Sequence, residues 1–375
     1  MTAPRNHFDP VNPDPPLLVV VGSGGVGKTT LAASLGILSA QAGHDTLVMT
    51  FDPSLRLKDA LGVGEAAREG VVEVDIDTPG VLHASLLDAR ATFDRLIEQY
   101  AGDEAARRRI LDNRYYNHLA GNLGGILEYM AVERLYEVAQ EGRYDRVILD
   151  TPPTHQAIDF LEAPRRIVDF LDSGALKIAL KPWFNEDGRL ETSSRLSNFF
   201  GRSLEQYLDR LVGMQLLRDM SAFFIAFGPM FDGFRERAEA TERLLVDPKT
   251  LFLLVTGPGE ARIPDTLFFA RRLTEAGHRL GPIVVNRVHP ELTGSDTPTA
   301  DDSHTEDPTA DDSHTEDAGQ QLFHWLGERH RRGLGQLRDL VGPQQPVVPL
   351  PLVPDEPTDL ESLAAVGERF RAAFG

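Results

Sequence analysis

The sequence predicts a doubly wound α/β fold, with a mostly parallel sheet, helices on both faces and an inserted α-helical subdomain. Short apolar runs of strand length recur along the chain, and segments with helical periodicity separate them. Two long stretches, 88–140 and 157–246, show helical periodicity with few strand signals. Uninterrupted apolar runs are typical of strands buried on both faces of a parallel sheet, so the alternating part predicts the sheet and the two stretches predict the subdomain.

The predicted elements follow the chain in strand–helix alternation. The first apolar run, Leu17–Val21, ends at glycines, and the helix predicted over Thr29–Ala42 ends before Gly43, a residue that commonly terminates helices. Val81–Leu87 is predicted as an edge strand, and Leu360–Phe374 has an amphipathic helical pattern. The remaining predicted strands are Thr46–Phe51, Arg146–Leu149, Leu251–Val255, Ile283–Val285 and Val347–Leu352.

Two segments outside this pattern are expected to be disordered, and the rest, 17–375, is expected to form one domain. Residues 1–16 are polar and proline-rich and lack the apolar segment of a signal peptide, which predicts a disordered leader. Residues 298–307 are repeated without change at 308–317, and apart from its one proline neither copy has an apolar side chain larger than alanine. Because such a segment buries no surface, a disordered acidic loop is predicted over 291–318.

Composition excludes several classes of function. The chain has 38 Lys plus Arg, 57 Asp plus Glu and no Cys, for a net charge of −19. Without Cys it forms no disulfide, no thiolate zinc site and no iron–sulfur cluster. The acidic balance disfavours nucleic acid as a partner. No uncharged apolar run approaches the roughly 18–20 residues of a membrane span, so a cytoplasmic location is expected.

The strongest functional signal lies between the first predicted strand and the first predicted helix. There the chain satisfies the pattern GxxxxGK[ST] with Gly22, Ser23, Gly24, Gly25, Val26, Gly27, Lys28 and Thr29. Glycines let successive backbone N–H groups converge on phosphates, and a helix N-terminus adds a favourable dipole. Lys28 is expected to reach the β- and γ-phosphates and the Thr29 hydroxyl to ligate Mg²⁺. The pattern therefore predicts ATP or ADP with Mg²⁺ as the ligand.

Two aspartates follow predicted strands. Asp150 comes directly after the run Val147–Leu149, where P-loop enzymes place the acidic residue of the Mg²⁺ site. Asp52 follows Thr46–Phe51, also at the carboxyl edge of a strand, where ligands bind in α/β sheets. For each of them a turn or helix N-cap aspartate is the alternative interpretation.

Three motifs together resemble one family. They are Gly24–Thr30 (GGVGKTT), then Asp52-Pro53-Ser54 with Leu57 and Asp59, and then Asp150–Thr154 (DTPPT). In this order they resemble the ArsA/Get-type ATPases of the deviant-Walker class of P-loop NTPases, and further motifs are most similar to an actinobacterial ArsA-like branch. The resemblance covers residues 17–290 and 346–375.

The resemblance implies a role for each matching residue. Asp52 would orient and deprotonate the attacking water, Asp59 would support the loop that carries it, and Lys28 would stabilise charge. Asn286 would contact adenine, and Pro354 would belong to a proline-rich adenine loop. The implied Mg²⁺ set is Thr29, Asp52 and Asp150, and the implied nucleotide set is residues 22–30 (Gly22 through Thr30) with Asn286 and Pro354.

The sequence departs from the family at two points. Ser23 stands where the family usually has a lysine that reaches the partner's nucleotide. A hydroxyl does not neutralise transition-state charge, so hydrolysis is slow, or Arg56 or Lys58 substitutes, or a paralogous partner supplies a lysine. The absence of Cys excludes a thiol-bound arsenite site and a thiol-bound zinc site.

The resemblance implies a Mg²⁺-dependent ATP hydrolase that acts as a dimeric nucleotide switch, as a homodimer or with a paralogue, on a hydrophobic or membrane-associated client. One alternative is a weakly hydrolysing nucleotide-binding scaffold within a paralogous heterodimer, and another is a ParA/MinD-like partition ATPase. The Phe-rich segment 199–234 fits either a client groove or the core of a helical subdomain.

Overall fold

The chain divides into two compact units, a sheet unit and a helical unit. The sheet unit comprises Met1–Leu86, Gly142–Ala157 and Val246–Gly375, and the helical unit comprises Leu87–Glu141 and Ile158–Leu245. The computed structural model describes residues 8–51, 56–64, 66–101, 103–113, 116, 126–173, 222–223, 225–289 and 312–374. Within these ranges, no helix is both long enough and apolar enough to cross a membrane.

Eight strands of the described residues form one sheet with the order β3-β4-β2-β5-β1-β6-β7-β8. Neighbouring strands run parallel except for β3 and β4, which are antiparallel. The central strands are buried along their whole length, as their uninterrupted apolar runs predict. The predicted α/β fold class is therefore confirmed. The strands are β1 (Leu17–Gly22), β2 (Thr46–Thr50), β3 (Val71–Glu73), β4 (Leu82–Leu86), β5 (Arg146–Asp150), β6 (Thr250–Thr256), β7 (Leu280–Val288) and β8 (Val347–Pro351).

The prediction of an edge strand over Val81–Leu87 is wrong in its position. The corresponding strand, β4, lies inside the sheet between β2 and β3. His83 and Ser85 give β4 the alternating pattern of a strand with one solvated face, yet both side chains are buried. The strand at this edge of the sheet is β3, and its three residues are too few to show a periodic pattern.

Helices of the described residues connect these strands or form the helical unit. Helix α1 ends before Gly43, which has a φ of 91°. It packs against the helix Leu360–Ala372 so closely that a Cβ on Gly367 would lie 2.8 Å from the Ser34 carbonyl oxygen. The helices are α1 (Lys28–Gln41), α2 (Arg56–Leu61), α3 (Ala66–Glu69), α4 (Ala89–Tyr100), α5 (Glu104–Leu111), α6 (Ile126–Glu141), α7 (Thr154–Asp172), α8 (Phe231–Val246), α9 (Ile263–Glu275), α10 (Asp312–Val341) and α11 (Leu360–Ala372).

The helical unit has an aromatic core of its own. Phe223, Phe227, Met230 and Phe234 are buried there, with Phe227 and Phe234 ring centroids 4.9 Å apart. For these four residues the core interpretation of the Phe-rich segment is confirmed. Phe199, Phe200 and Phe224 of the same segment lie outside the described residues.

Two segments differ from the expected disorder. In the segment 8–16, Phe8 is buried against Phe370 and Phe374, and the Arg146 guanidinium donates to the Pro10 carbonyl oxygen. These two contacts hold the segment in place, and its prolines lower the entropy that ordering costs. Helix α10 begins at Asp312, inside the segment 291–318 predicted as a loop, because extending an existing helix costs little. Residues 1–7 and 290–311 lie outside the described residues.

Candidate functional site

The loop between β1 and α1 has a backbone that only glycine tolerates at certain positions. Gly22, Gly25 and Gly27 have φ values of 151°, 74° and 90°. A Cβ on Gly22 would lie 2.0 Å from the Val255 carbonyl oxygen, and one on Gly27 would lie 2.4 Å from Asn286 Nδ2. The glycines of the phosphate-binding pattern therefore satisfy backbone conformation and close packing together.

Lys28 is the first residue of α1, and its side chain folds back over the loop. The side chain is buried, and its Nζ donates to the Ser23 carbonyl oxygen at 3.1 Å. The buried lysine, beside the exposed Gly24 and Gly25, gives the surface of this loop a positive charge. Such a surface binds phosphate.

Asp150 lies next to Thr29 at the carboxyl edge of the sheet. Asp150 is fully buried, and its Oδ2 accepts hydrogen bonds from Thr29 Oγ1 at 2.7 Å and from Thr50 Oγ1 at 2.9 Å. The structure thus brings together two of the three residues predicted for Mg²⁺. Thr50 was missed by sequence reasoning, although it pairs with Asp150 across β2 and β5. A hydroxyl at the end of a strand adjacent to Asp150 is the signal that would have identified it.

The oxygen donors at this site fit Mg²⁺. Mg²⁺ prefers carboxylate and hydroxyl oxygens and is commonly held by one or two protein ligands together with substrate phosphates and water. Among the described residues, no group of three or more His, Cys, Asp or Glu side chains is arranged to hold a metal ion. The third predicted ligand, Asp52, lies outside the described residues, so its place in the Mg²⁺ set stays a prediction.

Asn286 joins the end of β7 to the phosphate-binding loop. Its Nδ2 donates to the Val26 carbonyl oxygen at 2.8 Å, and its Oδ1 accepts from the Arg287 backbone N–H at 2.9 Å. An amide side chain has two donors and two acceptor lone pairs, so one of each remains. A donor and an acceptor side by side match N7 and N6 of adenine.

A cleft lies beside Asn286. Its lining includes Thr30, which the sequence places in the nucleotide set, and two residues from the chain after β7, Pro351 and Val353. Pro354, the predicted adenine-loop residue, is exposed and is not part of this lining. The structure therefore brings Thr30 and Asn286 together and leaves Pro354 outside. The complete lining is Thr30, Leu31, Asn286, Arg287, Leu350, Pro351, Val353, Pro357, Val366 and Arg369.

The residues predicted to act around the attacking water are only partly described. Asp59 lies in α2 with an exposed side chain, and Lys58, one of the two candidate substitute cations, is half-buried in the same helix. Asp52 and the side chain of Arg56 lie outside the described residues. The roles of these four residues stay predictions.

One known protein family matches most of this chain. The model of a family described as anion-transporting ATPase, ArsA_ATPase, matches residues 16–305, a range that includes the glycine loop, Asp150 and Asn286. The chain belongs to the anion-transporting ATPase family. The predicted family resemblance is thereby confirmed.

Curated relatives of this chain are similar to it at modest identity. A putative arsenical pump-driving ATPase of Halobacterium salinarum is 30% identical over 44% of this chain and 26% of its own length. An ATPase ASNA1 homolog of Entamoeba dispar is 24% identical over 72% of this chain and 76% of its own length. ATPase GET3C of Arabidopsis thaliana is 31% identical over 42% of both chains. The match therefore spans less than half the length of two of these three relatives.

Proposed function

We propose that this chain is a Mg²⁺-dependent ATP hydrolase whose bound nucleotide controls its conformation. The observation that carries the proposal is the hydrogen-bonded group of Thr29, Thr50 and Asp150 beside a glycine loop that holds Lys28. It combines a phosphate-binding surface with oxygen donors suited to Mg²⁺. Family membership and relatives named as ATPases support the same activity.

The proposed reaction is in-line attack of water on the γ-phosphorus of ATP. The new P–O bond forms as the bond to the β-phosphate oxygen breaks, and ADP, phosphate and a proton are released. Lys28 and the loop N–H groups stabilise the negative charge of the phosphates. Asp52 positions the water and accepts its proton. Thr29 and Asp150, with Asp52, would hold Mg²⁺, which supplies further neutralisation of phosphate charge.

Asn286 is proposed to favour adenine over guanine. Its remaining amide N–H and lone pair complement N7 and N6 of adenine, whereas guanine presents two acceptors along the same edge. The cleft lined by Thr30, Pro351 and Val353 would cover the face of the base.

Turnover of the purified chain tests the hydrolase. Lys28→Ala is expected to lower kcat about 10²–10³-fold, because it removes a charge that acts in the transition state. Asp52→Asn is expected to abolish turnover while ADP still binds. The matched control is Lys249→Ala. Lys249 is an exposed lysine directly before the first residue of β6, at the end of that strand away from the phosphate-binding loop, and its removal should leave turnover unchanged. Wild-type phosphate release that Lys28→Ala leaves unaltered would contradict the proposal.

Ser23 supports a second candidate, a scaffold that binds nucleotide but hydrolyses almost none. The P-loop has one cation, Lys28, and Ser23 brings only a hydroxyl and a carbonyl to it. The same measurements separate the two candidates. Tight ADP binding by a chain with no measurable phosphate release supports the scaffold, and release that depends on Asp52 supports the hydrolase.

The assembly and the client are also proposals. We propose a homodimer or a heterodimer with a paralogue, acting in the cytoplasm on a hydrophobic or membrane-associated client. The family and the relatives named ASNA1 homolog and GET3C support this choice. The cysteine-free sequence supports a dimer and a client that involve no thiol-bound zinc or arsenite.

A further inference from the structure

Arg287 has a left-handed backbone conformation, which non-glycine residues rarely adopt. Its φ is 63°, and it is the one non-glycine residue with a positive φ in the described part of the chain. For an L-residue with a long side chain this left-handed conformation is unfavourable, because the Cβ approaches the following carbonyl oxygen. Backbone strain of this kind persists where surrounding structure enforces it, and it concentrates at functional sites.

A β-bulge at the end of β7 enforces this conformation. Val285 pairs with Pro349 and Val288 pairs with Pro351, so Asn286 and Arg287 together oppose the single residue Leu350. Prolines have no N–H to donate, which weakens the ladder on this side and permits the extra residue. Bulges redirect side chains, and they are frequent beside active sites.

The bulge directs the Arg287 side chain to the phosphate-binding loop. Arg287 Nη1 donates to the Gly25 carbonyl oxygen at 3.3 Å, while the neighbouring Asn286 holds the Val26 carbonyl oxygen. Arg287 remains exposed, and it lines the proposed base cleft together with Arg369 of α11. A guanidinium has five donors, and one long bond to a carbonyl leaves most of them for a ligand.

We propose that Arg287 is a nucleotide-binding residue that donates to the phosphate chain of a bound nucleoside di- or triphosphate. This inference rests on the proposed ATP site. Arg287 would add a second cation to the loop that carries Lys28. Its side chain lies on the side of that loop next to the base cleft. Charge-assisted bonds from arginine to phosphate are among the strongest side-chain contacts.

The alternative role is a neutral brace, in which Arg287 only holds the Gly25 carbonyl. Two substitutions separate charge from bracing. Arg287→Gln keeps a donor and loses the charge, whereas Arg287→Lys keeps the charge and loses the planar fork. Arg287→Gly removes both and also relieves the strained φ. The control is Arg279→Gln, since Arg279 is an exposed arginine that donates to the Pro248 carbonyl oxygen beside the opposite end of β7.

The test is ADP binding to the full chain, measured by calorimetry at two salt concentrations. Arg287→Gln and Arg287→Gly are expected to weaken binding about 10-fold, or about 1.4 kcal/mol, and to reduce its salt dependence. Arg287→Lys is expected to lose less affinity than Arg287→Gln, because lysine keeps the charge although it lacks the planar fork. Arg287→Gly should unfold in urea at or above the wild-type midpoint, which shows that the lost affinity does not come from lost folding.

Other outcomes overturn the inference. If Arg287→Gln binds ADP like wild type, or if Arg287→Lys is as weak as Arg287→Gln, then the charge makes no contact with phosphate. A loss in Arg279→Gln equal to that in Arg287→Gln would also overturn it. If the wild-type chain is folded but binds no ADP, then both the proposed ATP site and the proposed role of Arg287 are wrong.

Discussion

Glu133 is a carboxylate whose side chain is fully buried in the helical unit. It accepts a hydrogen bond from the Tyr129 hydroxyl at 2.8 Å and forms an ion pair with Arg237, whose side chain is 21% exposed. Burial raises the pKa of Glu133, and the positive charge of Arg237 opposes that rise. Arg237 also pairs with Glu137 at 3.4 Å, but Glu137 has a second cation, Arg134, at 3.0 Å, so Glu133 is the carboxylate that depends on Arg237.

Removing that arginine should destabilise the helical unit in a pH-dependent way. Arg237→Gln leaves Glu133 buried without its cation, which is expected to cost about 3 kcal/mol at pH 8. Without Arg237 the Glu133 pKa in the folded state rises further above its unfolded value. The folded state then binds the proton more tightly, so the loss relative to wild type is small below pH 4.5 and grows as pH rises through the raised pKa.

Urea unfolding of wild type and variant between pH 4.5 and 8 measures this difference. Arg235→Gln is the matched control, because Arg235 lies on the same helix and pairs only with exposed carboxylates, Asp172 and Glu239, among its described contacts. Its effect should stay within about 0.5 kcal/mol at every pH. A loss for Arg237→Gln that does not change with pH would contradict the assignment of the effect to Glu133.

At the nucleotide site, sequence reasoning identified the residues whose chemistry follows from a pattern. Lys28, Thr29 and Asp150 were found because glycine spacing and strand ends are visible in the sequence. Thr50 was not, because its part depends on the register of β2 against β5. The contact of Arg287 with the Gly25 carbonyl was not predicted either, because it depends on a β-bulge in β7 that the local sequence pattern does not reveal.

Helix α10 packs near the carboxyl end of β6 through a glycine. A Cβ on Gly333 would lie 2.9 Å from the backbone of Gly259, whereas one on Gly335, two residues later in the same helix, would meet nothing within 4 Å. Backbone atoms do not move aside as a flexible side chain does. The two positions therefore differ in packing while they share a helix and a residue type.

Alanine at these two positions is expected to shift stability in opposite directions. Gly335→Ala should stabilise the chain by about 0.5–1 kcal/mol, because alanine lowers the entropy of the unfolded chain and favours helix. Gly333→Ala should destabilise it by about 1–3 kcal/mol through overpacking. Urea midpoints of the two variants check the prediction, and equal shifts in the same direction would show that α10 does not pack as described.

The strands show where sequence pattern suffices and where it does not. Strand β1 was predicted within one residue at its end because every residue in it is apolar and buried. Strand β7 extends well beyond the predicted Ile283–Val285, since Arg287 and Leu280 are not part of an apolar run and backbone pairing alone includes them. Backbone hydrogen bonding is independent of side-chain type, so strand ends follow from neighbours in the sheet rather than from composition.

At the scale of the whole molecule, the charge is strongly uneven. The chain carries a net charge of −19, and the ten-residue repeat contributes four acidic residues and no basic residue per copy. The proposed nucleotide is itself an anion. Its binding nevertheless depends on backbone dipoles and on Lys28 at the loop, because charges in water beyond the Debye length of about 8 Å at physiological salt are largely screened.

Deletion of one repeat, residues 298–307, tests whether bulk charge matters for nucleotide binding. The deletion changes the net charge from −19 to −15, since it removes four acidic residues. At 0.15 M salt, ADP affinity is expected to stay within about 2-fold of wild type because screening confines the field of an exposed segment. At 0.01 M salt, where the Debye length is about 30 Å, the deletion should strengthen binding by lowering the repulsion of ADP.

A matched variant with the four acidic residues of that copy replaced by Asn and Gln keeps the length and should behave as the deletion does. If affinity instead changes at least 5-fold at 0.15 M salt in both variants, the repeat acts at the site itself, and the local account of nucleotide binding is wrong.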